Sequence, residues 1–137
     1  MDNGICALCN ETDETGDHLL INCRIAKEVR QAVNMSGNLM PRQCTTVEEL
    51  LNVADHNDLL ATPRSIWEVS RQAFVWALWM GRNEKIFNKK DLVPHRTGSN
   101  ILSYVFLWCY SRDISGNSLG WLRRCCVPPV VNSDLPG

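Results

Sequence analysis

The chain has 137 residues, a formal net charge of -1 and a pI near 6.3, which is enough sequence for one domain with a real core and too little for two. A dedicated nucleic-acid binder would carry a basic excess, which is absent overall. Neither a secretory leader nor a membrane span is expected: no basic region followed by an apolar one opens the chain, and the longest apolar run, Ala73 to Met80, falls far short of the ~20 residues a bilayer requires.

In chain order, the first segment, Cys6 to Cys23, is polar and acidic between its cysteines. Ile25, Val29, Ala32 and Val33 then recur at helical spacing and predict a first helix ending near Gly37. Thr46-Val-Glu-Glu49 fits a capping box opening a short helix through Leu50, Leu51 and Ala54. Thr62 as N-cap and Pro63 at the first helical position announce the main helix, which continues to about Phe87 with Gly81 as its weak link. At about 100° per residue, Ile66, Val69, Ala73, Trp76, Ala77, Met80 and Phe87 share one face. That face is expected to be the core, with Trp76 and Phe87 as its large buried rings. Pro94 and Gly98 read as a loop, after which Ser99 caps a helix from Ile101 to about Tyr110 carrying Leu102, Val105, Phe106 and Cys109 on its apolar side.

Four of the five tryptophans expected to anchor this core precede Gly116, beyond which Gly, Ser, Asn and Pro dominate. The expected architecture is therefore a small all-α domain of three or four helices with an N-terminal structural zinc loop. Residues 1–34 form the loop and first helix, 35–116 the helical core of the same domain, and 117–137 a flexible tail.

The zinc loop is read from the pattern C-x2-C-x8-H-x4-C, formed by Cys6, Cys9, His18 and Cys23. A tight turn with C-x2-C spacing aims two sulfurs at one point, and zinc prefers a tetrahedron of thiolate and imidazole. Four protein ligands leave no open position for water or substrate, so the site reads as structural. The segment has too few apolar residues to fold without the ion. In a reducing cytoplasm or nucleus, the expected location, seven cysteines are metal ligands and buried thiols rather than disulfides. The other cysteines form no second site: Cys44 is isolated, Cys109 lies on an apolar face, and Cys125 and Cys126 lack a partner set. Three thiolates on Zn2+ leave about one negative charge, to which Glu11, Asp13, Glu14 and Asp17 add theirs. The loop is therefore expected to repel phosphates.

Cys6-x2-Cys9, Asp17-His18-Leu19 and Cys23, followed by Trp76-x-Leu78-Trp79-x2-Arg82-Asn83-x2-Ile86-Phe87, resemble the zinc-binding domain at the carboxyl end of plant non-LTR retrotransposon reverse transcriptases. The resemblance runs from about Gly4 to Tyr110. The family usually has an aromatic-rich segment before the first cysteine, whereas this sequence opens almost on Cys6. A tryptophan commonly follows the last ligand where this chain has Arg30. The paired aspartates of a polymerase do not occur, and endonuclease or RNase H domains would not fit in this length. The resemblance implies a fragment or repurposed relic of a retroelement protein without its enzyme, and nucleic-acid binding only by analogy.

Two surfaces compete for function. Arg71, Arg82 and Lys85 fall within about 60° on the main helix beside Trp67 and Leu78, and Lys89, Lys90 and Arg96 follow. This basic stripe reads either as a nucleic-acid contact or, the favoured alternative, as a solvated face. Leu78, Trp79 and Ile86 lie well around from Trp76 and, with Phe106 and Trp108, are expected to form an interface. His56 and His95 have no ligand or triad partner at a recognisable spacing, and no enzyme or small-molecule substrate is expected. The reading is a non-catalytic, zinc-binding protein-interaction module that engages a protein partner or itself; the alternative is an RNA- or DNA-binding module.

Overall fold

The computed structural model describes residues 4–41, 43–52, 63–112, 120 and 124. Among these the chain is helical, as the pattern predicts. A π-helical turn, His18–Asn22, precedes α1 (Arg24–Asn34), α2 (Val47–Leu51), α3 (Arg64–Asn88) and α4 (Pro94–Arg112). The described residues contain no strand beyond an isolated antiparallel bridge between Ile5 and Asp13. Helix α4 packs against both α1 and α3, while the π-turn touches α1, α2 and α3. Ala26, Val29 and Val33 of α1 meet the core with Ile101, Leu102, Val105 and Cys109 of α4. The amino-terminal loop thus sits where three helices converge.

Local chemistry accounts for the helix ends. Thr46 caps α2, its hydroxyl accepting the Glu49 N–H at 3.1 Å, as the capping-box reading requires. Pro63 is the N-cap of α3 rather than its first helical residue, with φ -57° and ψ 141°. At the other end Lys89 takes a left-handed conformation, φ 59° and ψ 27°, and the Lys90 N–H returns to the Glu84 carbonyl. Thr62, Ala54 and His56 lie outside the described residues, as do the tail beyond Arg112, apart from Gly120 and Arg124, and Cys125 and Cys126 within it.

Two expectations are corrected. Pro94 and Gly98 do not make a loop, because α4 begins at Pro94 and passes through Gly98. Proline costs nothing at a first helical position, where its missing N–H has no partner to lose. Gly98 is there for packing: a Cβ at this position would stand 2.6 Å from Ala32 Cβ and 3.2 Å from the α1 backbone. Gly98→Ala should therefore lower stability by about 1–2 kcal/mol in denaturant unfolding, because the clash with α1 outweighs the gain in helix propensity.

The phase of α3 is the second correction. Trp76, Met80 and Phe87, expected in the core, are 64%, 42% and 75% exposed, while Leu78, expected at an interface, is fully buried. The buried residues include Ile66, Ser70, Phe74, Leu78 and Arg82, each four positions after the last. A step of four residues advances about 40° around the helix, so the covered stripe winds across the cylinder. A 25-residue helix is about 37 Å long and meets different neighbours along its length. Its first half keeps the expected Ile66, Val69 and Ala73 inside, and its second half turns Leu78 and Arg82 inward instead.

Candidate metal centre

The ligand atoms of Cys6, Cys9, His18 and Cys23 all lie within 4.8 Å of one another. The fold brings them together through two short devices. The first is the turn holding Cys6 and Cys9. The Asn10 N–H donates to the Cys6 carbonyl and the Cys6 N–H to the Thr12 carbonyl, both at 2.8 Å, with Asn10 in a left-handed conformation at φ 57°. Asparagine tolerates that region better than most residues.

The second device is the π-turn. Side chains five residues apart point about 140° away from each other on an α-helix, which would separate His18 from Cys23. Here the Cys23 N–H donates to the His18 carbonyl at 2.7 Å, a five-residue closure that accommodates the extra residue. Thr15 starts the turn, its hydroxyl accepting the His18 N–H at 3.0 Å. Cys23 is the N-cap of α1, and Leu19 and Ile21 of the π-turn point into the core.

The distances suit an ion. A tetrahedral ion with metal–sulfur bonds of about 2.3 Å needs sulfur–sulfur edges of about 3.8 Å and sulfur–nitrogen edges of about 3.5 Å. Cys6 Sγ and Cys23 Sγ are 3.8 Å apart, and Cys9 Sγ is 3.3 Å from His18 Nε2. A disulfide would require about 2.05 Å, and these thiols are free. Thr12 Oγ1 lies beside the His18 ring, 3.0 Å from Nε2 and 3.2 Å from Nδ1, within reach of whichever nitrogen a metal would leave to carry the proton.

Electrostatics sets metal in competition with protons. Burial pushes the Cys23 thiol up to about 12, helped by the neighbouring Cys6, and burial raises Cys6 as well. At Cys9 burial is outweighed by the hydrogen bond to His18 and by neighbouring backbone N–H groups, which bring the thiol down to about 7. Without an ion, Cys6 and Cys23 stay protonated at neutral pH. Metal uptake therefore releases protons and strengthens as pH rises.

The acidic loop keeps Glu11, Asp13 and Asp17 exposed, but its carboxylates are also tied to the helices. Glu14 is buried against α3, its Oε1 accepting from Arg82 Nε at 2.8 Å and its Oε2 from the Ala7 N–H at 3.0 Å. The two side chains are 9% and 3% exposed. Asp17 Oδ1 accepts the Val47 N–H of α2 at 2.8 Å, and Glu11 pairs with Arg24 at 3.3 Å. Three of the four carboxylates thus tie the loop to α3, α2 and α1. Composition shows their charge but not their partners, which lie up to 68 residues away.

The same contacts dissolve much of the basic stripe. Arg82 is buried, with its guanidinium 5.2 Å from the Trp79 ring centroid, and Trp67, expected beside the stripe, is 1% exposed. Lys85 is ion-paired to Asp91, and Arg71 is half-buried beside Leu51 and Trp79. Lys89, Lys90 and Arg96 are exposed. Of the expected interface residues, Trp79 and Ile86 are at the surface and Leu78 is not. Truncating Arg82 to Ala would leave a buried carboxylate without its cation. A loss of about 3 kcal/mol in chemical unfolding is expected, and Glu14→Gln should recover part of it in the double variant.

Arg30, which in the sequence stands out only as a departure from the tryptophan common in the resembled family, has a structural role. It is 6% exposed on α1, and its Nη1 donates to the Ile21 carbonyl at 2.9 Å, closing the end of the π-turn. Its signals in the sequence are that departure and a charge at a helix position otherwise facing the core. Among the described residues no helix is long and apolar enough to cross a membrane. Comparison of the chain with protein-family models, curated proteins and solved structures finds no match.

Proposed function

We propose that the cluster holds one structural zinc ion and that the chain is a non-catalytic protein-interaction module derived from a retroelement reverse-transcriptase zinc-binding domain. Three thiolates and an imidazole at tetrahedral separations are a donor set that zinc favours, and with all four bound no position remains for a substrate. Zinc would fix the loop so that Glu14, Asp17 and Glu11 reach the three helices.

The observation that carries the interaction reading is the outer face of α3. Trp76, Trp79, Met80 and Phe87 are all more than two-fifths exposed, and Tyr104 and Leu107 of α4 are more than half exposed. Large rings left in water along a rigid helix characterise association surfaces. The nucleic-acid reading has less support, since Arg82 and Lys85 are engaged by carboxylates.

Sedimentation of the zinc-loaded chain tests this reading. The wild type should self-associate with rising concentration, whereas Trp76→Glu/Trp79→Glu should remain monomeric while keeping its helical circular dichroism. A monomer at every concentration, together with tight salt-sensitive binding to single-stranded RNA, would favour the alternative.

A further inference from the structure

A groove of about 750 Å³ runs between α1 and the stretch around Cys44, away from the exposed aromatic face. Its described lining holds two cations, Lys27 and Arg30, the side-chain amides of Asn22, Gln31, Asn34 and Gln43, and no carboxylate. Arg30 is the unusual member. It is 94% buried, being 6% exposed, yet among the described residues no acid pairs with it. Its hydrogen bonds run from Nη1 alone, to the carbonyls of Ile21 at 2.9 Å and Leu20 at 3.5 Å. The opposite edge, Nε with Nη2, makes none among the described residues. That edge is the fork which grips two oxygens of one oxyanion.

We propose that this groove binds a phosphate monoester, two of its oxygens taken by Nε and Nη2 of Arg30 and its second charge met by Lys27. A buried guanidinium without a counter-ion is costly, and burial pushes Arg30 below its ordinary pKa. Cys44, the nearest ionisable neighbour, does not supply the missing charge. Burial raises its thiol, which stays neutral and donates to the Thr46 carbonyl at 3.3 Å. Lys27 lies one turn before Arg30 on α1, is exposed, and is in no ion pair among the described residues. Two uncompensated cations match a dianion, whereas a carboxylate or phosphodiester would neutralise only one. The amides of Gln31 and Gln43 are neutral donors that suit the remaining oxygens. The site uses no metal-ligand side chain and no residue of the aromatic face.

The test is a titration of the zinc-loaded full chain at pH 8 and constant ionic strength, followed by nitrogen-15 NMR of the arginine Nε–H groups. Inorganic phosphate should move the Arg30 Nε–H resonance saturably, and Lys27→Gln should weaken binding by about two- to fivefold. Arg30→Lys, which keeps the charge and loses the fork, should abolish saturable phosphate binding as read by titration calorimetry, a measurement that does not depend on the Arg30 resonance. If that variant fails to fold, the Nε–H resonance of the wild type still decides. A phosphoserine peptide binding more tightly than inorganic phosphate would identify a protein-borne ligand, and glycerol phosphate binding as well as the peptide would identify a free metabolite; either result supports the site. An Arg30 resonance unmoved by all three would overturn the proposal, as would acetate or dimethyl phosphate acting as strongly as phosphate.

Discussion

Replacing Cys9 or His18 by Ala should abolish metal binding and unfold far more than the loop. Structural zinc contributes apparent binding free energies of about 10–16 kcal/mol in small domains, against a net stability of about 5–15 kcal/mol for a typical domain. Here the loss spreads by identifiable routes. Glu14 would release Arg82, Asp17 would release α2, and the π-turn would lose the closure that seats Leu19 and Ile21 in the core. Elemental analysis should find one equivalent of zinc in the wild type and none in either variant, with circular dichroism reporting the lost helix. Because Cys6 and Cys23 hold their protons tightly without the ion, acidification should expel the metal and alkaline conditions should retain it. A wild-type chain prepared under reducing conditions that is fully folded and contains no metal would sink the assignment.

The second large effect separates two tryptophans on one helix. Trp67 is 1% exposed and Trp76 is 64% exposed. Trp67→Ala removes a large ring from the packed interior and should cost ~3–5 kcal/mol, enough to unfold a marginal domain at ordinary temperature. Trp76→Ala should change stability by no more than about 0.5 kcal/mol, as surface substitutions usually do. Thermal unfolding of the two variants side by side gives the answer. Equal losses would mean that the outer face of α3 is covered, which would also remove the basis for an interaction surface there.

Neither variant follows from helical periodicity alone. Within Trp76-Ala-Leu-Trp79 the sequence is apolar on every side, so hydrophobicity cannot decide which ring is buried. The winding stripe on α3 is selected by its partners, α4 along the helix and the π-turn at one part of it. A fixed 100° projection fails because it assumes a single neighbour.

Much was nonetheless determined by the sequence itself. The spacing of Cys6, Cys9, His18 and Cys23 marks a candidate metal site because turns of that length have few ways to arrange four donors. Thr46 and Glu49 mark the start of α2 because a cap is made by residues three apart. The helical character of α1 and α3 follows from propensity and periodicity, which are likewise local. Tertiary structure alone decided the rest: that Gly98 is a packing contact with Ala32, that Glu14 reaches Arg82, and that Arg30 is buried against the π-turn with one edge unbonded among the described residues. Each depends on residues distant in sequence meeting at a set separation and angle. Local spacing specifies which donors and apolar groups are available, and the packing of α4 between α1 and α3 specifies which of them are covered.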